Sequence, residues 1–196
     1  MEDDIRCGTT AYIRENLDLH LMTGRYSTIL VRELAEMFER RSGNVFAILD
    51  EIAALEGTPS ARPSLTKPPT MFVRPPLTGL WHKHYNQASF LHQNVWNHWR
   101  ANDFAVHAAK NIGQAAIPDD KLIGALIHEF VIGGYRERSG SRRLTGQWIV
   151  YARRDDVNTY LTLGTHGDDA AIRRRVLACA NEFPELDLDG RRGPAR

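Results

Sequence analysis

Gly146 to His166 read GQWIVYARRDDVNTYLTLGTH, and this stretch decides the fold class. Gln147-Trp148-Ile149-Val150-Tyr151-Ala152 and Thr159-Tyr160-Leu161-Thr162-Leu163 are rich in the β-branched and aromatic residues that suit a pleated surface. Between them Arg154-Asp155-Asp156-Val157-Asn158 supplies polar turn chemistry, so the pair reads as an antiparallel hairpin. The chain leaves the second strand through Gly164-Thr165 to His166, just ahead of a helix expected to begin near Asp168. That helix carries Ile172, Val176, Leu177, Ala180 and Phe183 on one face, and Pro184 closes it.

Toward the N-terminus the period changes from two to 3.6. Tyr12, Ile13 and Leu17 suggest a first helix. Ile29, Leu30, Leu34, Met37 and Phe38 suggest a second, capped by Ser27 and ending near Ser42-Gly43-Asn44. Val45, Ile48, Leu49, Ile52 and Leu55 suggest a third, stopped by Gly57. From Gly57 to Gly79 the chain carries six of its nine prolines, with Arg62, Lys67 and Arg74 as the only charges, and reads as a linker or a covering arm. Leu91, Val95 and Trp99, then Phe104, Ala108 and Ile112, and then Leu122, Ile123, Leu126, Ile127 and Phe130 return to helical spacing. The expected class is α+β, helix-rich, with a small antiparallel sheet built on the C-terminal hairpin. Its expected parts are a helical 1–56, a proline-rich linker or arm 57–79, an α+β catalytic part 80–186 and a disordered tail 187–196.

Composition narrows the function classes. Among 196 residues, 25 Lys and Arg nearly cancel 24 Asp and Glu, so nucleic-acid binding needs a local patch rather than a global field. The apolar runs are too short to cross a bilayer, and the acidic start MEDDIRCGTT lacks the apolar core of a secretory signal. Two distant cysteines, Cys7 and Cys179, argue against a disulfide scaffold and fit a reducing cytoplasm. His128-Glu129 does not open a zincin helix, because Ile132 stands where the second histidine would be. Gly-Lys-Ser/Thr, Gly-x-Gly-x-x-Gly and Gly-x-Ser-x-Gly are absent.

The remaining signal is imidazole. Residues 78–107 hold five of the eight histidines and three of the four tryptophans, with Trp81-His82-Lys83-His84-Tyr85 at the sharp end. At a spacing of two, His82 and His84 share one face of an extended segment while Lys83 and Tyr85 take the other. Two converging imidazoles can move protons near neutral pH or ligate a metal, and they can also be ordinary hydrogen-bonded boundary residues. His166, at a sheet end beside a helix start, is the expected partner from the other stretch. His92, His98 and His107 fall on amphipathic helical spacing, where burial against neighbours is the plain explanation. In Tyr135-Arg136-Glu137-Arg138-Ser139-Gly140-Ser141-Arg142-Arg143, arginines could follow a phosphate backbone while Tyr135 stacks on a base.

Helices followed by a compact hairpin of the type GQWIVYARRDDVNTYLTLGTH, with histidines and arginines nearby, resemble the bacterial toxin ribonucleases of the barnase, EndoU, colicin and RelE-like class. The resemblance covers residues 119–183 and is architectural. It implies metal-independent RNA cleavage, no cofactor, and often a cognate inhibitor protein. The expectation is therefore a cytoplasmic ribonuclease with RNA as partner and no membrane, using His82 and His84 as the proton-transfer pair and His166 as their partner from the sheet. Lys83, Arg142 and Arg143 are expected to bind phosphate. Two alternatives stand beside it: a metal-dependent hydrolase built on His82-x-His84 with a third histidine, and a noncatalytic inhibitor, immunity or adaptor protein using Trp81, Tyr85, Trp96 and Trp99 as anchors.

Overall fold

The computed structural model describes residues 2–85, 99, 104, 130 and 147–189. The helices expected between 91 and 130, the arginine loop 135–143, and His92, His98, His107 and His128 therefore lie outside the described residues, apart from Trp99, Phe104 and Phe130. So do positions 190–196 of the expected tail.

Three helices precede the arm. The first, α1 (Glu2–His20), turns Ile13 and Leu17 inward. The second, α2 (Thr28–Glu39), starts at Ser27, whose Oγ accepts from the Leu30 amide at 3.0 Å. The third, α3 (Val45–Glu56), begins at Asn44 and stops at Gly57, whose φ of +68° is the left-handed conformation a side chain would resist. Five strands follow or interleave: β1 (Arg25–Tyr26), β2 (Thr70–Met71), β3 (Trp81–Tyr85), β4 (Gln147–Arg154) and β5 (Val157–Gly164). A last helix, α4 (Asp169–Ala178), leads to a 3-10 turn at Pro184–Leu186.

Among the described residues the strands form one sheet in the order β1-β5-β4-β3-β2. The α+β class holds, with one departure from a purely antiparallel sheet: β1 pairs with β5 in parallel. Neighbouring side chains on β4 alternate between two cores. Ile149 and Tyr151 face α1, α2 and α3, together with Tyr85, Tyr160 and Leu163. Trp148, Val150 and Ala152 face α4, together with Leu77, Leu80, Ile172, Val176 and Phe183. The N-terminal helices thus share a core with the hairpin.

Two expectations shift at the C-terminus. The last helix ends at Ala178 rather than Phe183, and Leu177 is exposed; the buried set is Ile172, Val176, Cys179 and, beyond the helix, Phe183. Leu188, expected in the loose tail, is 6% exposed and packs in the second core. The hairpin is also tighter than expected, because its strands run on to Arg154 and back from Val157. Asp155 and Asp156 alone form the turn, with φ of +50° and +61°. Positive φ at both central positions matches the twist of the strands but costs a non-glycine residue energy. Asp156→Gly is expected to raise stability by a few tenths to about 1 kcal/mol, read as a higher midpoint in thermal unfolding. A lower midpoint would mean that the exposed Asp156–Arg153 pair, at 2.9 Å, outweighs the backbone strain.

The free edge of β5 beyond β1 is satisfied by side chains, which removes a template for strand addition. Ser27 Oγ donates to the Leu161 carbonyl. Glu33 accepts from the Leu163 amide at 2.8 Å, and Arg175 Nη2 donates to the Leu163 carbonyl at 2.9 Å. Glu33 and Arg175 meet at 3.0 Å, tying α2 to α4 over that edge.

The proline-rich segment is an arm that covers the other edge. Thr70 pairs with His82 and Met71 with Trp81, so β2 closes the outer side of β3. Before that pairing, Ser64, Thr66 and Lys67 sit on the helical side of the sheet around Lys83. After it, Phe72 crosses to the other side and packs on His82 and Trp148.

Candidate active site

The alternation of β3 sorts its chemistry. Lys83 and Tyr85 point to the helices, while His82 and His84 point to the face shared with Trp148. On that face His82 and His84 have ring centroids 5.5 Å apart, and His84 lies 5.6 Å from His166 with the rings near parallel at 26°. The three imidazoles, drawn from stretches about eighty residues apart in sequence, meet over one patch of sheet.

A turn delivers His166. The Asp168 amide donates to the Thr165 carbonyl at 3.3 Å, and Gly167 has φ of +86°, as a type II turn requires of its third residue. His166 occupies the second position and lies 4.2 Å from the Trp148 ring. Gly164, just before, allows α4 to come close, since a Cβ there would sit 2.7 Å from Ile172 Cδ1. Asp168, at the N-cap of α4, makes no side-chain cap to the helix amides.

The walls are aromatic. Trp148, 7% exposed, stands 4.9 Å from His82, and Phe72 of the arm packs on His82 at 4.5 Å with the rings tilted. His84 is 5% exposed, whereas His166 is open to solvent. The environment keeps imidazole charge low. Burial, then the neighbouring His166 and Lys67, push His82 down to about 4, with the Thr70 backbone opposing. Protonating it would also charge a ring whose Nδ1 is buried without a hydrogen-bond partner among the described residues. His166 is lowered by burial and by Lys67, while Asp169 favours its charged form.

This depression has a sign that can be checked. Above the unfolded value near 6.5 both states hold His82 neutral and the group contributes no pH dependence. As pH falls, the unfolded chain takes the proton first, so stability is lost progressively between about 6.5 and about 4 and levels off below. His82→Gln is expected to show a smaller loss of urea midpoint over that window than the parent. An equal loss would place the acid sensitivity elsewhere.

Lys83 takes a structural part instead of the phosphate role expected of it. It lies across the sheet from the imidazoles and is 3% exposed. Its Nζ donates to Ser64 Oγ, Thr66 Oγ1 and the Lys67 carbonyl, each at 2.7 Å, and faces Glu51 Oε2 at 3.2 Å. Arg142 and Arg143 are outside the described residues. The charge of Lys67 disfavours protonation of both His82 and His166. In the sequence Lys67 is one of three charges in the arm, and its neighbourhood depends on how β2 pairs, which no local pattern states.

The two alternative readings meet specific geometry. Among the described residues no three His, Cys, Asp or Glu side chains are placed to hold a metal ion. Of the proposed anchors, Tyr85 is 1% and Trp99 8% exposed, Trp81 packs against the first core, and Trp96 is outside the described residues. Buried rings cannot anchor a partner, so the adaptor reading loses its basis at Tyr85 and Trp99. Cys7 and Cys179 are both free thiols, and no helix among the described residues is long and apolar enough to cross a membrane. No family model matches this chain, and neither the curated proteins nor the solved structures give a match.

Proposed function

We propose that this chain is a metal-independent ribonuclease of the toxin type, acting on RNA in the cytoplasm and held in check by a cognate inhibitor protein. The observation that carries the reading is the convergence of His82, His84 and His166 on one aromatic-walled face. Cleavage of RNA without a metal needs one group to take the proton from the ribose 2′-hydroxyl as it attacks phosphorus, and another to protonate the departing 5′-oxygen. The products are a 2′,3′-cyclic phosphate and a free 5′-hydroxyl.

The two roles fall to residues whose environments separate their affinities for a proton. His82, neutral at pH 7, suits the base. His166, solvent-exposed and lowered by burial and Lys67 with Asp169 opposing, suits the acid. His84 lies beside both rings and orients them. The mutual repulsion of His82 and His166 disfavours charging both, which favours the one-proton state that such a cycle starts from. The experiment is incubation of the purified chain with bulk RNA in EDTA near neutral pH. Cyclic-phosphate ends are expected, and intact RNA would overturn the reading.

A further inference from the structure

Proton transfer accounts for the scissile phosphate and leaves the bases on either side of it without a partner. In a single strand those bases are unstacked, and their flat faces are taken up by aromatic side chains. The arm brings one such ring to the imidazole face. Phe72 lies 4.5 Å from His82 with the ring planes at 35°, and it meets Trp148 edge-on at 5.2 Å and 77°. It is only partly buried, unlike Trp148 beneath it. Its backbone is held on both sides: the Phe72 amide donates to the Leu80 carbonyl at 2.8 Å, and its carbonyl accepts from the Gly79 amide at 3.0 Å. A rigid ring on a pinned backbone loses little freedom when a base settles on it.

The contacts also give the ring a side of the reaction. Phe72 touches His82 and Trp148, whereas His166 touches His84 and Trp148, so the arm's ring belongs with the base catalyst and not with the acid. The nucleotide whose 2′-hydroxyl attacks stands at His82, and the departing 5′-oxygen belongs to the next nucleotide, at His166. We infer that Phe72 is a substrate-binding residue that stacks on the base of the nucleotide upstream of the scissile phosphate, and that the substrate is therefore single-stranded RNA. The assignment rests on the ribonuclease reading.

The test uses the full chain and a DNA oligonucleotide with one ribonucleotide, which fixes the point of cleavage. Removing the base of that ribonucleotide is expected to lower kcat/KM about fivefold or more in the parent, the loss of one base–aromatic stack, and removing the base downstream to cost much less. Phe72→Leu keeps an apolar contact on His82 and Trp148, so its urea midpoint should stay close to the parent's while base removal ceases to matter. Phe72→Tyr, which retains an aromatic face, should keep the penalty. An RNA oligonucleotide blocked throughout by 2′-O-methyl groups cannot be cut, and its binding, read by fluorescence anisotropy, should weaken by a similar factor in Phe72→Leu. The inference is overturned if the parent does not bind this blocked strand, if the downstream base carries the penalty, or if base removal costs the parent and Phe72→Leu alike. Cleavage with either of the last two results removes Phe72 and keeps the ribonuclease. Phe72-dependent binding of the blocked strand by a chain that cuts nothing removes the ribonuclease and keeps the stacking residue.

Discussion

Lys83→Met is expected to destabilise the fold by about 3–5 kcal/mol, because it strands the carboxylate of Glu51 inside the protein. The Lys83 and Glu51 side chains are 4% and 10% exposed, so neither can turn to water when its partner is lost. The same ammonium gathers Ser64, Thr66 and the Lys67 carbonyl, so the arm loses its anchor on the helical side of the sheet. Chemical denaturation measures the loss. Limited proteolysis measures the release, with new cleavage expected between Gly57 and Gly79. Replacing Glu51 with Leu alongside Lys83→Met should recover part of the stability, since the uncompensated charge is then gone, while the arm stays loose because its acceptors still lack their donor. If Lys83→Met unfolds at the parent midpoint, the lysine is not the clamp that its contacts describe.

That clamp marks the limit of what was legible in the sequence. Period-two alternation in WHKHY separates His82 and His84 from Lys83, whereas the phosphate role expected of Lys83 requires it on their face. Alternation itself argues otherwise: on a strand covered on both sides, a residue facing away from a site faces the other core. What could not be read was the partner, since Glu51 lies on α3, far in sequence from β3, and pairs directly with Lys83 while Thr66 of the arm bonds to both. Local rules performed best where one element decides the outcome. Ser27 caps α2, Gly57 ends α3, and the hairpin pairs as its composition suggests. They performed worst where two distant stretches decide it. β1 is two residues long and exists because the Ser27 amide and side chain bind the edge of β5, a pairing with no signature of its own. Pro184 drew the last helix too far, because a proline bars continuation but does not require the helix to reach it. The meeting of His166 with His82 and His84 was legible, since all three leave or line strands expected in one sheet.

His166→Ala is expected to lower RNA cleavage by about 10²–10⁴-fold, the range for removing a general acid, with thermal stability close to the parent. Exposure makes it the cleanest of the three replacements. His84 is almost wholly buried against its neighbours, so His84→Ala opens a void and loses stability along with activity, which makes its effect ambiguous. His82→Ala should lose activity over a similar range, and it also removes the ring on which Phe72 packs, so unfolding must be measured beside it. The acid and base can be told apart by pH. With His82 at about 4, the acidic limb of the parent rate profile should fall only below neutral pH, and in His166→Ala the alkaline limb that reports loss of the acid's proton should flatten. A substrate with an activated leaving group, which departs without a proton, should restore much of the rate to His166→Ala and little of it to His82→Ala. If both variants are rescued alike, or if neither loses activity on RNA, the division of labour between the two imidazoles is wrong, and the stack of His84 on His166 is packing rather than catalysis.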